Sequence, residues 1–201
     1  MTSYSQVFQD VFVHTLIGDT GYFLDLGAGD PEGGLNSNTL LLEQKGWDGI
    51  CVDGHAHHIK NRVDASIRSS AVCAFVPQTT IKEILDNHNA PKVLDYVSVD
   101  IEPVSITALH NFPFEEYEFK VMTFEHDLYL RGPAQKIESH DILTRKGYVL
   151  LCNNVNVPDV LGFGKYFEDW WVNPKYFSEE FIQTNQFDSE LGRNIVTNIR
   201  K

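Results

Sequence analysis

Cysteine is scarce: Cys51, Cys73 and Cys152 are three in 201 residues. An odd number, widely separated and set in apolar strand-like segments, builds neither a disulfide framework nor a cysteine-based zinc site. The reading is three reduced core thiols in a cytoplasmic or other reducing intracellular compartment. Positive charge is also in deficit, with 16 Lys and Arg against 28 Asp and Glu and a net charge of −12. Phosphate binding needs a basic face and no dense Lys/Arg run exists, so no nucleic-acid partner is expected. No apolar run is long enough for a membrane span, and the amino terminus lacks a basic, then apolar leader. Repeats, low-complexity tracts and a Pro/Gly/Ser-rich linker are absent, and 42% hydrophobic content suffices for a sizeable core. One domain over 1–201 is expected, alone or as part of a larger enzyme.

What is present is an alternation of strand and helix patterns. Val7, Phe8, Val11, Phe12 and Leu16 recur at helical spacing and stop near Gly18. Strands follow at 22–26, 50–53, 71–76, 96–101, 120–125 and 148–152. Between them, Ser37 or Asn38 caps a helix ending at Gly46, Thr80 and Glu83 form a capping box, and another helix starts near Pro133. Strands alternating with helices imply an α/β fold with a mostly parallel sheet, whose ligands collect beyond the carboxyl ends of the strands.

Those ends carry the chemistry. The apolar run Tyr22-Phe23-Leu24-Asp25-Leu26 passes directly into Gly27-Ala28-Gly29-Asp30, a turn that lets a ligand approach the backbone. The position completing a dinucleotide G-x-G-x-x-G is Glu32, with Gly33 and Gly34 after it, and a carboxylate there opposes a pyrophosphate. A cationic ligand without phosphate, S-adenosylmethionine, fits better. Asp53 lies 28 residues beyond Asp25, about one β-α-β unit, where an acid accepts both ribose hydroxyls. Asp100 and Glu102 follow the fourth strand, and Glu125-His126-Asp127 the fifth. Any one of these acids alone reads as a turn or cap residue; four ends converging on one crevice read as a site.

Seven ordered blocks then resemble the FkbM-like S-adenosylmethionine-dependent methyltransferases. They are Ser5-Gln6-x-x-Gln9-Asp10, Phe23 to Ala28, Ser37-Asn38-Thr39 with Glu43, Gly46 to Asp53, Asp95 to Glu102, Thr123 to His126, and Glu168-Asp169-Trp170-Trp171-Val172-x-Pro174. Pro103 stands where that family usually has glycine. The resemblance implies a single Rossmann-like class I methyltransferase domain with a mostly parallel seven-stranded sheet and helices on both faces. It also implies methylation of a hydroxyl, often on a sugar or glycan, and a cofactor set of Gln9, Asp25, Gly27, Ala28, Gly29, Asn38, Asp53 and Asp100.

A sugar hydroxyl is a poor nucleophile near neutral pH, so a group must align it and take its proton. Asp100, Glu125 and His126 are the candidates, with His126 or Asp100 favoured as base. The same three are the alternative ligands of a Mg²⁺ or Mn²⁺ ion that would acidify the hydroxyl. Glu102 is placed on the acceptor side, and Trp170 or Trp171 as an aromatic wall against sugar C–H surfaces. His55, His57 and His58 read as a polar loop. The alternatives are an NAD-dependent oxidoreductase, opposed by Glu32 and by the lack of a Tyr-x-x-x-Lys pair, and a cofactor-binding scaffold without chemistry.

Overall fold

The computed structural model describes residues 1–30, 36–64, 68–76, 78–158 and 164–200. Glu32, Gly33 and Gly34, on which the case against a dinucleotide partly rests, lie outside the described residues. The elements run α1 (Gln9–Ile17), β1 (Tyr22–Leu26), α2 (Leu40–Lys45), β2 (Asp48–Asp53), α3 (Ala56–Asp64), β3 (Ser70–Cys73), α4 (Ile81–Asn87), β4 (Val93–Val99) and α5 (Ser105–Asn111). They continue with β5 (Glu118–Glu125), α6 (Leu128–Arg131), α7 (Ala134–Arg145), β6 (Val149–Pro158), β7 (Gly164–Val172), α8 (Glu179–Thr184), β8 (Phe187–Asp188) and α9 (Gly192–Asn198).

The strands form one sheet in the order β3-β2-β1-β4-β5-β7-β6-β8. From β3 to β5 all pairs are parallel, and β7 enters antiparallel between β5 and β6. The sheet thus has eight strands rather than the expected seven; the eighth, β8, is two residues that pair parallel with β6. β1 is central because Phe23, Leu24 and Leu26 are all fully buried, the continuous apolar run that a strand covered on both faces needs.

Helices cover both faces. On one, Ile81, Ile84 and Leu85 of α4, Ala108 and Leu109 of α5 and Leu143 of α7 pack on Leu24, Val97, Met122 and Trp171. On the other, Phe12 and Val13 of α1, Leu42 of α2, Ile182 of α8 and Ile195 of α9 pack on Phe23, Tyr96, Val121 and Trp170. The alternation of side chains along each strand divides the core this way.

Local signals account for several boundaries. Thr80 and Glu83 close the capping box of α4 as expected. α2 ends at Gly46 in a left-handed conformation, but its N-cap is Thr39 rather than Ser37 or Asn38; the Ser37 hydroxyl still accepts from the Leu40 N–H at 3.2 Å. The tract containing His57 and His58 is helical, the first half of α3, not a loop. Its apolar positions Ala56, Ile59 and Val63 are spaced for a helix but outnumbered by polar residues, and it buries Ile59 and Arg62. Cys51 and Cys152 are buried, whereas Cys73 is exposed at the end of the edge strand β3, so only two of the three thiols are in the core.

Candidate functional site

A cavity of about 570 Å³ opens beyond the carboxyl ends of β1, β2 and β4. This is the position that an open parallel sheet reserves for ligands, and the volume suits a nucleoside-sized molecule. Gly27, Gly29, Asp53, Asp100 and Glu102, all named from sequence, line it together. Val52, Gly54, His55, His58, Phe75, Ile101 and Val104 complete much of the wall. Phe75 carries no sequence motif; its signal is structural, a large aromatic 51% exposed on the rim of the cavity.

Gly27 has a reason beyond the expected one. At φ 89° its added Cβ would lie 1.7 Å from the Asp100 carbonyl oxygen, so the close approach of β1 and β4 by itself requires glycine. Gly29, at φ 61°, would meet nothing within 4 Å. Its N–H donates to Asp53 Oδ2 at 3.0 Å, which ties the turn to the end of β2. Asp53 also accepts from the His55 N–H at 2.7 Å, and His58 Nδ1 lies 3.2 Å away. Burial works to raise its pKa, but the His55 amide, His58 and the Gly29 amide outweigh it and hold Asp53 below the usual carboxylate value. It stays charged.

The turn is braced from beneath by Arg62 of α3, which sequence reading missed. Its guanidinium is 1% exposed and donates to the carbonyls of Ala28 and Gly29, to Ser37 Oγ and to Cys51 Sγ. Three further expected cofactor residues make internal hydrogen bonds. Asp25 accepts from Thr39 Oγ1 at 2.7 Å, Asn38 donates to Ser98 Oγ at 3.0 Å, and Gln9 accepts from the Val7 N–H at 2.9 Å. These three and Ala28 are buried and do not line the cavity.

After β4 and β5, carboxyl groups gather in two touching pairs. Asp100 is hydrogen-bonded to Glu125, and burial, then Asp100 itself, pushes Glu125 far above the carboxylate range. Burial raises Asp100 too, and the pair shares a proton. Glu102 is hydrogen-bonded to Asp127; Asp127 is pushed up to about 7, first by burial and then by Glu102, which is itself lowered by that contact and by Arg131. One oxygen each from Glu102, Glu125 and Asp127 lies within 4.8 Å of the others, and the same holds for ligand atoms of Asp53, His55 and His58.

Three expected site residues are elsewhere. His126 is 0% exposed. Its Nδ1 accepts from the Leu128 N–H at 3.1 Å, which puts the proton on Nε2, and that atom faces Asp169 Oδ2 at 3.4 Å. Lys136 and His140 of α7 bind the same Asp169. Burial lowers the pKa of His126 against the pull of Asp169. It is a core group beneath α7, and does not line the cavity. A cation set of Asp100, Glu125 and His126 thus loses its imidazole. Trp170 and Trp171, 0% and 1% exposed, are core on opposite faces of β7 and form no acceptor wall.

Asp127, named from sequence only as part of the Glu125-His126-Asp127 run, has a left-handed backbone (φ 49°, ψ 42°) that turns the chain into α6, and it sits against Glu102. β7, which covers the end of β5, was not expected: the Phe167 carbonyl receives the N–H groups of both His126 and Asp127 at 3.1 Å.

No protein-family model matches the chain, and no curated protein matches it in sequence. Its likeness is to solved structures. One is a Klebsiella pneumoniae protein provisionally described as an O-methyltransferase, with a TM-score of 0.58, 14% identity, and coverage of 82% of this chain and 80% of that one. A second, from Clostridium thermocellum and provisionally described as an rRNA methylase, gives 0.54 at 12% identity over 86% and 97%. A third, 1,6-didemethyltoxoflavin-N1-methyltransferase of Burkholderia thailandensis with bound S-adenosylhomocysteine, gives 0.50 at 16% identity over 82% and 76%. The chain has the α/β Rossmann-like fold of the S-adenosylmethionine-dependent methyltransferases. No described helix is long and apolar enough to cross a membrane.

Proposed function

We propose that this protein is an S-adenosylmethionine-dependent O-methyltransferase of the FkbM-like family, one catalytic domain that methylates a hydroxyl of an uncharged sugar in a glycan or small glycoside. The observation that carries the reading is the cavity itself. It combines a glycine turn, a charged Asp53 and an exposed Phe75 ring with an acidic far end, and contains no lining Lys or Arg. These residues fit the cofactor. Asp53 would accept from ribose hydroxyls, Phe75 offers a flat apolar face to adenine, and Asp100 and Glu102 balance a ligand carrying an ammonium and a sulfonium. When bound, the cofactor supplies a methyl group on a good leaving group.

The remaining work falls to side chains. When the shared proton lies on Glu125, Asp100 keeps a carboxylate on the cavity wall and takes the proton of the acceptor hydroxyl as the oxygen attacks. Burial raises Asp100 above an ordinary aspartate, which strengthens it as a base. Glu102 orients acceptor hydroxyls from the rim. The acidic wall repels phosphorylated acceptors, which favours a neutral polyol over nucleic acid.

Calorimetric titration with S-adenosylmethionine and with NAD tests the cofactor. Asp53→Ala should weaken the former at least tenfold in a protein that remains folded by circular dichroism; tight NAD binding, or unaltered affinity in the variant, would overturn the assignment. Labelled cofactor offered with neutral sugars, phosphosugars and RNA tests the acceptor, and turnover confined to RNA would refute the sugar reading. Asp100→Asn should cut the rate by about 10²-fold while leaving cofactor affinity in place.

A further inference from the structure

We propose that Glu102, Glu125 and Asp127 form a site for one hard divalent cation at the acceptor end of the cavity, held by carboxylates alone. The three offer oxygens within 4.8 Å of one another. Two oxygens on opposite sides of a cation stand about 4.2 Å apart at Mg–O distances and about 5 Å apart at Ca–O distances, so one ion spans the cluster with at most small side-chain rotations.

One buried oxygen lacks a donor, and a second buried group is paired only with other acids. Asp127 is 1% exposed, and its Oδ1 is buried without a hydrogen-bond donor among the described residues. Oδ2 accepts from Arg131 Nε at 3.3 Å, and the contact with Glu102 sets acid against acid. Glu125 is 4% exposed, and its hydrogen-bonding contacts among the described residues are with other carboxyl groups. A buried oxygen with no donor costs about 1–3 kcal/mol, so leaving these without a counter-charge is expensive. Arg131 pairs with Glu102 and Asp127 from the solvent edge, and is the single guanidinium set against the three acids. An ion binding there displaces the protons held within the cluster, which leaves three carboxylates against one guanidinium, a charge of −2 that one divalent ion cancels.

The site is independent of the cofactor reading, because the ion is tested alone. The purified full chain, stripped with a chelator, is titrated calorimetrically with MnCl₂, MgCl₂ and CaCl₂ without S-adenosylmethionine, and Mn²⁺ binding is followed by paramagnetic resonance. One ion per chain is expected for at least one of the three metals. Glu125→Gln and Asp127→Asn should each weaken it at least tenfold, and Arg131→Ala should leave it equal or tighter. Glu102→Gln, at the exposed edge, gives the same readout should the buried variants fail to fold. Absence of binding up to millimolar metal would overturn the proposal, as would binding unaffected by these variants or weakened by Arg131→Ala. Binding abolished by Asp53→Ala instead would assign the ion to Asp53, His55 and His58. Loss of S-adenosylmethionine binding with metal binding intact would separate failure of the cofactor reading from failure of this one.

Discussion

Arg62→Met removes the buried cation beneath the glycine turn while keeping an unbranched side chain in its place. The guanidinium lies 3.7 Å from Glu43 Oε2 and lowers the pKa of both Glu43 and Asp25, each of which burial has raised above its ordinary value. Breaking a buried pair by removing one partner costs about 3–5 kcal/mol. Here the lower end applies, because Asp25 and Glu43 can take up protons once the cation is gone. At about 2–4 °C per kcal/mol for a chain of this size, the melting temperature should fall by about 6–12 °C. The pH dependence has a definite sign. Loss of Arg62 raises the folded-state pKa of both acids further above their unfolded values, so the folded state binds more protons and its stability declines as pH rises between the two. The deficit relative to wild type should therefore widen from about pH 5 to about pH 8. Thermal melts by circular dichroism at both pH values are sufficient. A shift below about 2 °C, or a deficit that narrows at the higher pH, would refute the claim that Arg62 is the counter-charge holding this corner together.

Gly27→Ala should destabilise by at least about 2 kcal/mol in urea unfolding, since its Cβ would meet the Asp100 carbonyl, whereas Gly29→Ala, facing open space, should cost only about 1 kcal/mol for its positive φ; equal costs would contradict the close approach of β1 and β4. Thr80→Ala should cost about 1 kcal/mol through loss of the capping box, read in the same assay. Ellman's reagent should modify one thiol rapidly in the folded protein, the exposed Cys73. Cys152 and Cys51 are buried, the latter with its pKa pushed up to about 12 by burial, and should react only on unfolding.

Much of the architecture was legible because local and tertiary signals agree. The apolar run before Gly27, the capping box at Thr80 and the glycine ending α2 each specify one local structure. The parallel half of the sheet follows from their alternation. Elements that depend on partners were not legible. β7 reads as a cluster of aromatics and acids because its residues are divided between two buried faces, and Asp169 is solvated by Lys136, His140 and His126 rather than by water. α3 has few apolar positions, and one of its two buried side chains is an arginine.

The same distinction explains the candidate site. Asp53, Asp100 and Glu102 were legible from chain position alone, because a parallel strand delivers the residue after its last pair to the same edge of the sheet. His126 was misplaced because adjacency in sequence was taken for adjacency in space. One residue of extended chain reverses the side to which a group points, so Glu125 turns toward Asp100 while His126 turns under α7 toward Asp169. Asp127 reaches the acidic side by another route, a left-handed turn (φ 49°) at the start of α6. Neighbourhood in sequence therefore misleads by one residue at a strand end, and the groups brought together are Asp100 and Glu102 after β4 with Glu125 and Asp127 at the end of β5. Those four carboxyl groups are the ones that touch.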